Sequence, residues 1–257
     1  MKLTYFNGLK TLTDAWDDNE IICLTESSIY LSESEDSLVK ISDDTVVKLG
    51  HTFSSACSDA FATDLIRTCT SIPVPRIRRV IHWHLHDEGD GLIVMDLIRN
   101  SGQLHVCRPS LSIWMNLKVI LMMRSYFQQL RRIDASYSSM PGPPDPQPAV
   151  CNGLQFVFDS KGLFPTPMAL ADYFNTELKL AEERGSRGYG PPPGCKPLNE
   201  SITLVLTHNN LSMRNILLDS NGQIWIADWN WAGFYSTWFE YDFPPRTTTS
   251  PLGGNRQ

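Results

Sequence analysis

Residues 204–240 read LVLTHNNLSMRNILLDSNGQIWIADWNWAGFYSTWFE, and this stretch decides the fold. Leu204-Val205-Leu206 is a short apolar run with strand character. A polar loop follows from Thr207 to Arg214, then a second apolar run, Asn215-Ile216-Leu217-Leu218. Asp219-Ser220-Asn221-Gly222 is a turn, because Asn-Gly tolerates positive φ at little cost. A third run, Gln223 to Ala227, alternates and ends on Asp228. The pattern is strand, polar loop, then a hairpin with an acid at its exit. It gathers His208, Asn210, Asn215 and Asp228 at one edge of a small sheet. Loops held by rigid strands are where chemistry usually sits.

The rest of the chain bounds what this loop can serve. With 257 residues, 42% hydrophobic and 19% charged, the sequence predicts a globular protein with a sizeable core. A net charge of -6 argues against a nucleic-acid partner, which would want a basic face. The first twenty residues hold no apolar run of signal-peptide length. Leu111–Met123, the longest apolar stretch, contains Asn116 and Lys118 and is too short to span a bilayer. Cys23, Cys57, Cys69, Cys107, Cys151 and Cys195 stand singly, without CxxC or His at ligand spacing. They predict reduced thiols and a cytoplasmic location. The sequence does not fix the oligomeric state.

Along the chain, a helix is expected around Leu9–Trp16. Strands are expected at Ile21–Leu24, Ser28–Leu31, Leu38–Ile41 and Thr45–Leu49, separated by acidic, Ser-rich turns. On pattern alone Lys48 is a solvated, outward residue of an alternating strand. Ser54–Thr70 carries Ala56, Ala60, Phe61, Leu65 and Ile66 at helical spacing. Pro73 and Pro75 hold Ile72–Pro75 extended. Arg76–Leu85 and Gly91–Leu97 read as strands. His82, His84 and His86 share a strand face, with no acid or Cys to complete a metal set. The strongest helix follows. Ile113, Leu117, Ile120, Met123, Phe127, Leu130 and Ile133 form its apolar stripe, read as core. Ser110 or Ser112 is its cap, and Arg131 and Arg132 suit its C-terminal end. Pro141–Pro148 is expected to be a stiff surface linker. Met168–Glu183 reads as a second helix, broken by Gly185–Pro197. Asp242–Gln257, rich in Pro, Thr and Gly, reads as disordered. Trp225, Trp229, Trp231 and Trp238 are expected to pack the core rather than cage a ligand.

The sequence contains no P-loop, no GxGxxG after a strand and no G-x-S-x-G elbow. What stands out is His208-x-Asn210-x-x-x-x-Asn215 followed by Asp228. Here the chain resembles the aminoglycoside phosphotransferase family of the protein-kinase-like fold, especially its fungal phosphotransferase-like members. The family's loop H-G-D-x-x-x-x-N is matched by HNNLSMRN. Its I-D-W-E, often followed by A-G-x-Y-P-x-x-W-E-Y, is matched by ADWNWAGFYSTWFEY over Ala227–Tyr241. Thr45–Lys48 resembles the strand with the phosphate-contacting lysine. Thr70–Pro75 resembles the family's T-S-I-P-V-P, and Leu92–Asp96 its interlobe segment. The match runs from about residue 20 to 241.

The resemblance implies an α+β, two-lobed fold. A β-rich N-lobe spans residues 1–98. A mainly helical C-lobe spans 99–257, with catalytic and metal loops in 204–231 and a tail at 242–257. It also implies ATP and Mg²⁺ as cofactors and a small-molecule substrate. Lys48 would contact phosphates and Asp59 would pair with it. Met95, Asp96 and Leu97 would meet the adenine, and Asn215 and Asp228 would hold Mg²⁺. His208 would steady the loop. The departures bear on activity. Asn210 stands at the position of the catalytic Asp, and an amide cannot accept the substrate hydroxyl's proton. Asn209 replaces a Gly and Asn230 replaces the Glu of D-W-E. Asp59 is a methylene shorter than the family's Glu, which predicts strained or water-mediated pairing with Lys48. The implied function is ATP- and Mg²⁺-dependent phosphoryl transfer to a small-molecule hydroxyl with impaired catalysis. The alternatives are a pseudokinase binding module, or a kinase fold reused for other chemistry on a small metabolite. No acidic cluster in Pro141–Pro197 suits a polycationic antibiotic.

Overall fold

In a computed structural model, the structure describes residues 15–28, 30–31, 38–50, 52–83, 90–133, 140–144, 150–151, 153, 156, 161–183, 203–236 and 239. It is an α+β, two-lobed fold. Helix α1 (Asp18–Ser27) starts at a capping box. The Asp17 side chain accepts from Glu20 N, and the Glu20 side chain accepts from Asp17 N. The strand expected over Ile21–Leu24 is therefore helical. Its β-prone side chains yield to the cap, and Ile21 is fully buried beneath the sheet. Of the described residues of the next expected strand, Tyr30 alone bridges, to Val39. The helix proposed at Leu9–Trp16 falls largely outside the described residues.

A four-stranded antiparallel sheet follows, in the order β1-β2-β4-β3: β1 is Leu38–Lys40, β2 Thr45–Gly50, β3 Ile77–Trp83 and β4 Asp90–Asp96. Helix α2 (Phe53–Cys69) lies against it, capped by Thr52, whose hydroxyl accepts from Ser55 N. The helix comes very close to the sheet. A Cβ at Gly91 would sit 2.4 Å from Ala56 Cβ, so glycine is required there. His82 is exposed and its ring packs tilted against Phe53, centroids 4.8 Å apart; His84 and His86 lie outside the described residues.

The second lobe contains β5 (Ser101–Gln103), the short α3 (Leu104–Cys107), α4 (Ile113–Leu130) and α5 (Pro167–Glu183). Its four later strands are β6 (Leu204–Thr207), β7 (Ile216–Asp219), β8 (Ile224–Ile226) and β9 (Gly233–Ser236). Ser112 caps α4 by accepting from Met115 N. Its stripe differs from expectation. Val119, Tyr126 and Leu130 face the core, while Ile113 is 85% and Ile120 63% exposed, and Leu117 is exposed too. The helix is apolar on more than one side, so periodicity alone could not choose its buried face. Pro141, Gly142 and Pro144 are buried, not a surface linker, because Gly142 pairs with Phe234 of β9. Residues 145–149, 184–202 and the tail at 242–257 lie outside the described residues. Trp229 is fully buried, as packing predicted; Trp238 lies outside the described residues. Among the described residues no helix is long and apolar enough to cross a membrane. Cys23, Cys57, Cys69, Cys107 and Cys151 form no disulfide.

Candidate functional site

Two separate small sheets build the site, where sequence reading had placed one. Strand β6 pairs with β9, and β7 pairs with β5 and β8. Loop 208–215 therefore leaves one sheet and enters the other. The segment 227–232 makes the return journey. Ala227 N donates to Asn215 O at 3.0 Å, tying the two crossings together.

His208 is fully buried and steadies the first crossing. Its Nε2 lies 3.1 Å from the Ala227 carbonyl, an acceptor, so Nε2 carries the proton. Its Nδ1 then accepts from Asn210 N at 3.2 Å, and its ring packs on Trp229 at 4.3 Å. Asn209 has φ +60, a left-handed conformation that Asn tolerates better than most residues. This lets an Asn hold a turn conformation that glycine would otherwise favour. Its bulk is turned inward. Its Nδ2 donates to Trp231 O at 3.1 Å, and its Oδ1 accepts from Thr207 Oγ1 at 3.0 Å. Thr207, which sequence reading passed over, also reaches Gly233 O at 3.1 Å. No local pattern marks it, because its partner arrives from β9.

At the centre, Lys48 projects from β2 and is only 6% exposed. The solvated reading of this lysine is overturned, because α2 covers that face of β2 and supplies a carboxylate. Lys48 Nζ donates to Asp59 Oδ2 at 2.9 Å and pairs with Asp228 Oδ1. The shorter Asp59 side chain thus pairs directly and not through water, because the helix sits so close to the sheet. Burial pushes the Asp59 carboxyl above its usual range, with the Lys48 charge opposing and Asp228 reinforcing the rise. Asp228 itself has φ +67. Its second oxygen, Oδ2, accepts from Asn210 Nδ2 at 2.8 Å and Asn215 Nδ2 at 3.2 Å. Asn215 Nδ2 also donates to Asn210 O at 2.8 Å, which fixes the orientation of that amide. Asn230 Oδ1 is buried without a hydrogen-bond partner among the described residues. A carboxylate there would bury an uncompensated charge, so an amide is the cheaper occupant.

Met95, Asp96 and Leu97 close the N-lobe side. Asp96 N donates to Arg76 O at 3.0 Å and Leu97 N to Asp44 O at 2.9 Å, so these two N–H groups are spent within the lobe. Buried Arg78 locks the corner. Its Nε donates to Asp96 Oδ1 at 2.7 Å and its Nη1 to Thr45 Oγ1 at 2.6 Å. This lock was not foreseen from the sequence either.

The architecture is that of the kinase-like fold of the aminoglycoside phosphotransferases. The GDP complex of wild-type aminoglycoside 2'-phosphotransferase-IIIa is similar with a TM-score of 0.56 at 12% identity, covering 82% of this chain and 68% of that one. The GDP and kanamycin complex of APH(2")-IIia is similar with a TM-score of 0.52 at 12% identity, covering 82% and 69%. At these identities the likeness is one of fold. No family model matches the sequence, and no curated protein matches it either.

The residues present fit a phosphate. Lys48 is a buried cation held in place by two carboxylates, a point charge for an anionic oxygen. They fit Mg²⁺ poorly. Mg²⁺ needs oxygen ligands, commonly one or two carboxylates beside substrate phosphates. Asp228 is the one carboxylate among the loop residues His208, Asn210, Asn215 and Asp228, and N–H donors meet both of its oxygens. Turning the Asn215 amide to offer Oδ1 would set that oxygen against two other acceptors.

Proposed function

We propose that this protein binds a nucleotide between its lobes, in a small-molecule-kinase-like site whose phosphoryl-transfer power is strongly reduced. The observation that carries the reading is Lys48, buried and held between Asp59 of the N-lobe and Asp228 of the C-lobe. A lysine is seldom buried without a partner or a task. A phosphate entering the site would meet Lys48 as an added partner, while Lys48 keeps its pairs with Asp59 and Asp228. The adenine would lie beside Met95–Leu97 and use groups other than the Asp96 and Leu97 N–H. Transfer to a hydroxyl forms an O–P bond, breaks the bond to the leaving phosphate and releases the hydroxyl's proton. Asn210 has no site to take that proton, and its Nδ2 is already committed to Asp228. General-base help contributes about 10²–10⁴-fold, and this is the deficit expected here. A loose phosphoryl transition state asks little of a base, so slow transfer to a small-molecule hydroxyl is the second reading.

Nucleotide-dependent stabilisation tests the proposal. ATP or ADP should raise the melting temperature of the wild type. Saturation at about 100 Kd gives roughly 2.7 kcal/mol of added stability. Lys48→Met should abolish the rise. No shift in the wild type at millimolar nucleotide removes the reading. Turnover is assayed separately, with wild-type release of phosphate at or near background.

A further inference from the structure

Resting on that nucleotide-binding reading, we infer that the site takes its nucleoside di- or triphosphate without a divalent cation, and that Asn210 is the residue responsible. The inference starts from how Asp228 is satisfied. Its Oδ1 pairs with Lys48 and its Oδ2 accepts from two amides, Asn210 Nδ2 at 2.8 Å and Asn215 Nδ2 at 3.2 Å. The carboxylate therefore meets three N–H donors, one from β2 and two from loop 208–215. A cation approaching Oδ2 meets two amide hydrogens, each carrying partial positive charge. To bind, it would have to push both amides away.

Asn215 cannot turn freely to help. Its Nδ2 lies between Asn210 O and Asp228 Oδ2, both acceptors, so rotation trades two hydrogen bonds for two repulsive contacts. Asn210 is anchored as well. Its backbone N–H donates to His208 Nδ1, and His208 is fully buried and bonded to Ala227 O. The loop thus presents the Asn210 amide to Asp228 from a rigid frame. A carboxylate at position 210 would place two acceptor groups 2.8 Å apart, an arrangement that a cation between them relieves. The amide removes that demand and supplies the bond itself. Asn210 acts here on Asp228 and not on substrate, so its role in this inference is one of positioning.

The test is calorimetric titration of the full chain with ADP and with ATP, in buffer with excess Mg²⁺ and in buffer with chelator and no divalent cation. Wild-type affinity should agree between the two buffers within about threefold, less than the tenfold that corresponds to 1.4 kcal/mol. Asn210→Asp should bind at least tenfold more tightly with Mg²⁺ than with chelator, and Asn210→Ala, which leaves Oδ2 with the Asn215 amide alone, should show a Mg²⁺ dependence between those of wild type and Asn210→Asp. Melting curves in the same buffers show whether each variant is folded. If Asn210→Asp does not fold, the wild-type comparison and Asn210→Ala still decide. Wild-type binding lost only in chelator overturns this inference and leaves the nucleotide site standing. Absence of binding in both buffers overturns both. A folded Asn210→Asp with no Mg²⁺ dependence overturns the assignment to Asn210.

Discussion

Charge at single residues sets what this fold can do, and Asp44 is the clearest example outside the site. Hydroxyls of Ser42 and Thr45 donate to its Oδ1 at 2.7 and 2.8 Å, and Arg78 Nη2 lies 3.4 Å from Oδ2. The Ser42 and Thr45 bonds, helped by the Arg78 charge, hold its carboxyl down at about 2, from an ordinary 3.8. A carboxyl depressed in the folded state binds its proton more weakly there than in the unfolded chain. Its contribution is therefore present above about 4 and is lost as the pH falls toward 2. Asp44→Asn should lower the melting temperature near neutral pH. The gap between variant and wild type should close on acidification from about pH 4 to pH 2, because protonation removes the same charge. A constant gap across that window would mean that Asp44 acts only through shape. Little of this was legible. The Ser42–Asp44 turn was read correctly, but Arg78 sits 34 residues further along and nothing in its own strand points to Asp44.

Elements were legible where their signals are local. The hairpin of β7 and β8 follows from Asn221-Gly222 between two apolar runs, and Gly222 does adopt φ +72. Helix α2 follows from its spacing. Helix α1 was misread because Ile21–Leu24 is β-prone, although Asp17-x-x-Glu20 was a usable capping signal. Strand β9 was missed because its partner, β6, lies about thirty residues upstream in the sequence. Helix α4 shows the same limit in its choice of face. Trp114 is 80% exposed and Leu130 2% exposed on one helix, yet both are large apolar residues. Trp114→Ser should change stability by no more than about 0.5 kcal/mol. Leu130→Ala should cost about 2–5 kcal/mol, since Leu130 packs in the main core. Chemical denaturation of the two variants measures both. A large loss at Trp114 would show that this face is covered.

At the scale of the molecule, the sequence divides the chain near residue 98, but the packing does not respect that division. The main core joins Ala62, Leu65 and Ile66 of α2, with Ile72 and Val74, to Leu206, Ile226 and Trp229. Polar links reinforce it. Ile226 N donates to Pro73 O at 3.0 Å, and Ser71 N and Oγ donate to Gln129 Oε1 at 2.8 and 3.0 Å. The Ser71–Val74 segment thus acts as a tether as well as a linker. Site formation depends on this union, since Lys48 and Asp59 come from one lobe and Asp228 from the other. Lobes that share a core should unfold together. Heating should give one transition, with the calorimetric and van't Hoff enthalpies equal. Leu65→Ala removes side-chain volume at the junction and should cost about 2–5 kcal/mol. If the lobes are one cooperative unit, that loss lowers the single transition as a whole. If the shared core is only a contact between independent lobes, the variant splits into two transitions, and the nucleotide-induced rise should then vanish before the first of them. Calorimetry of Leu65→Ala with and without ADP separates these outcomes.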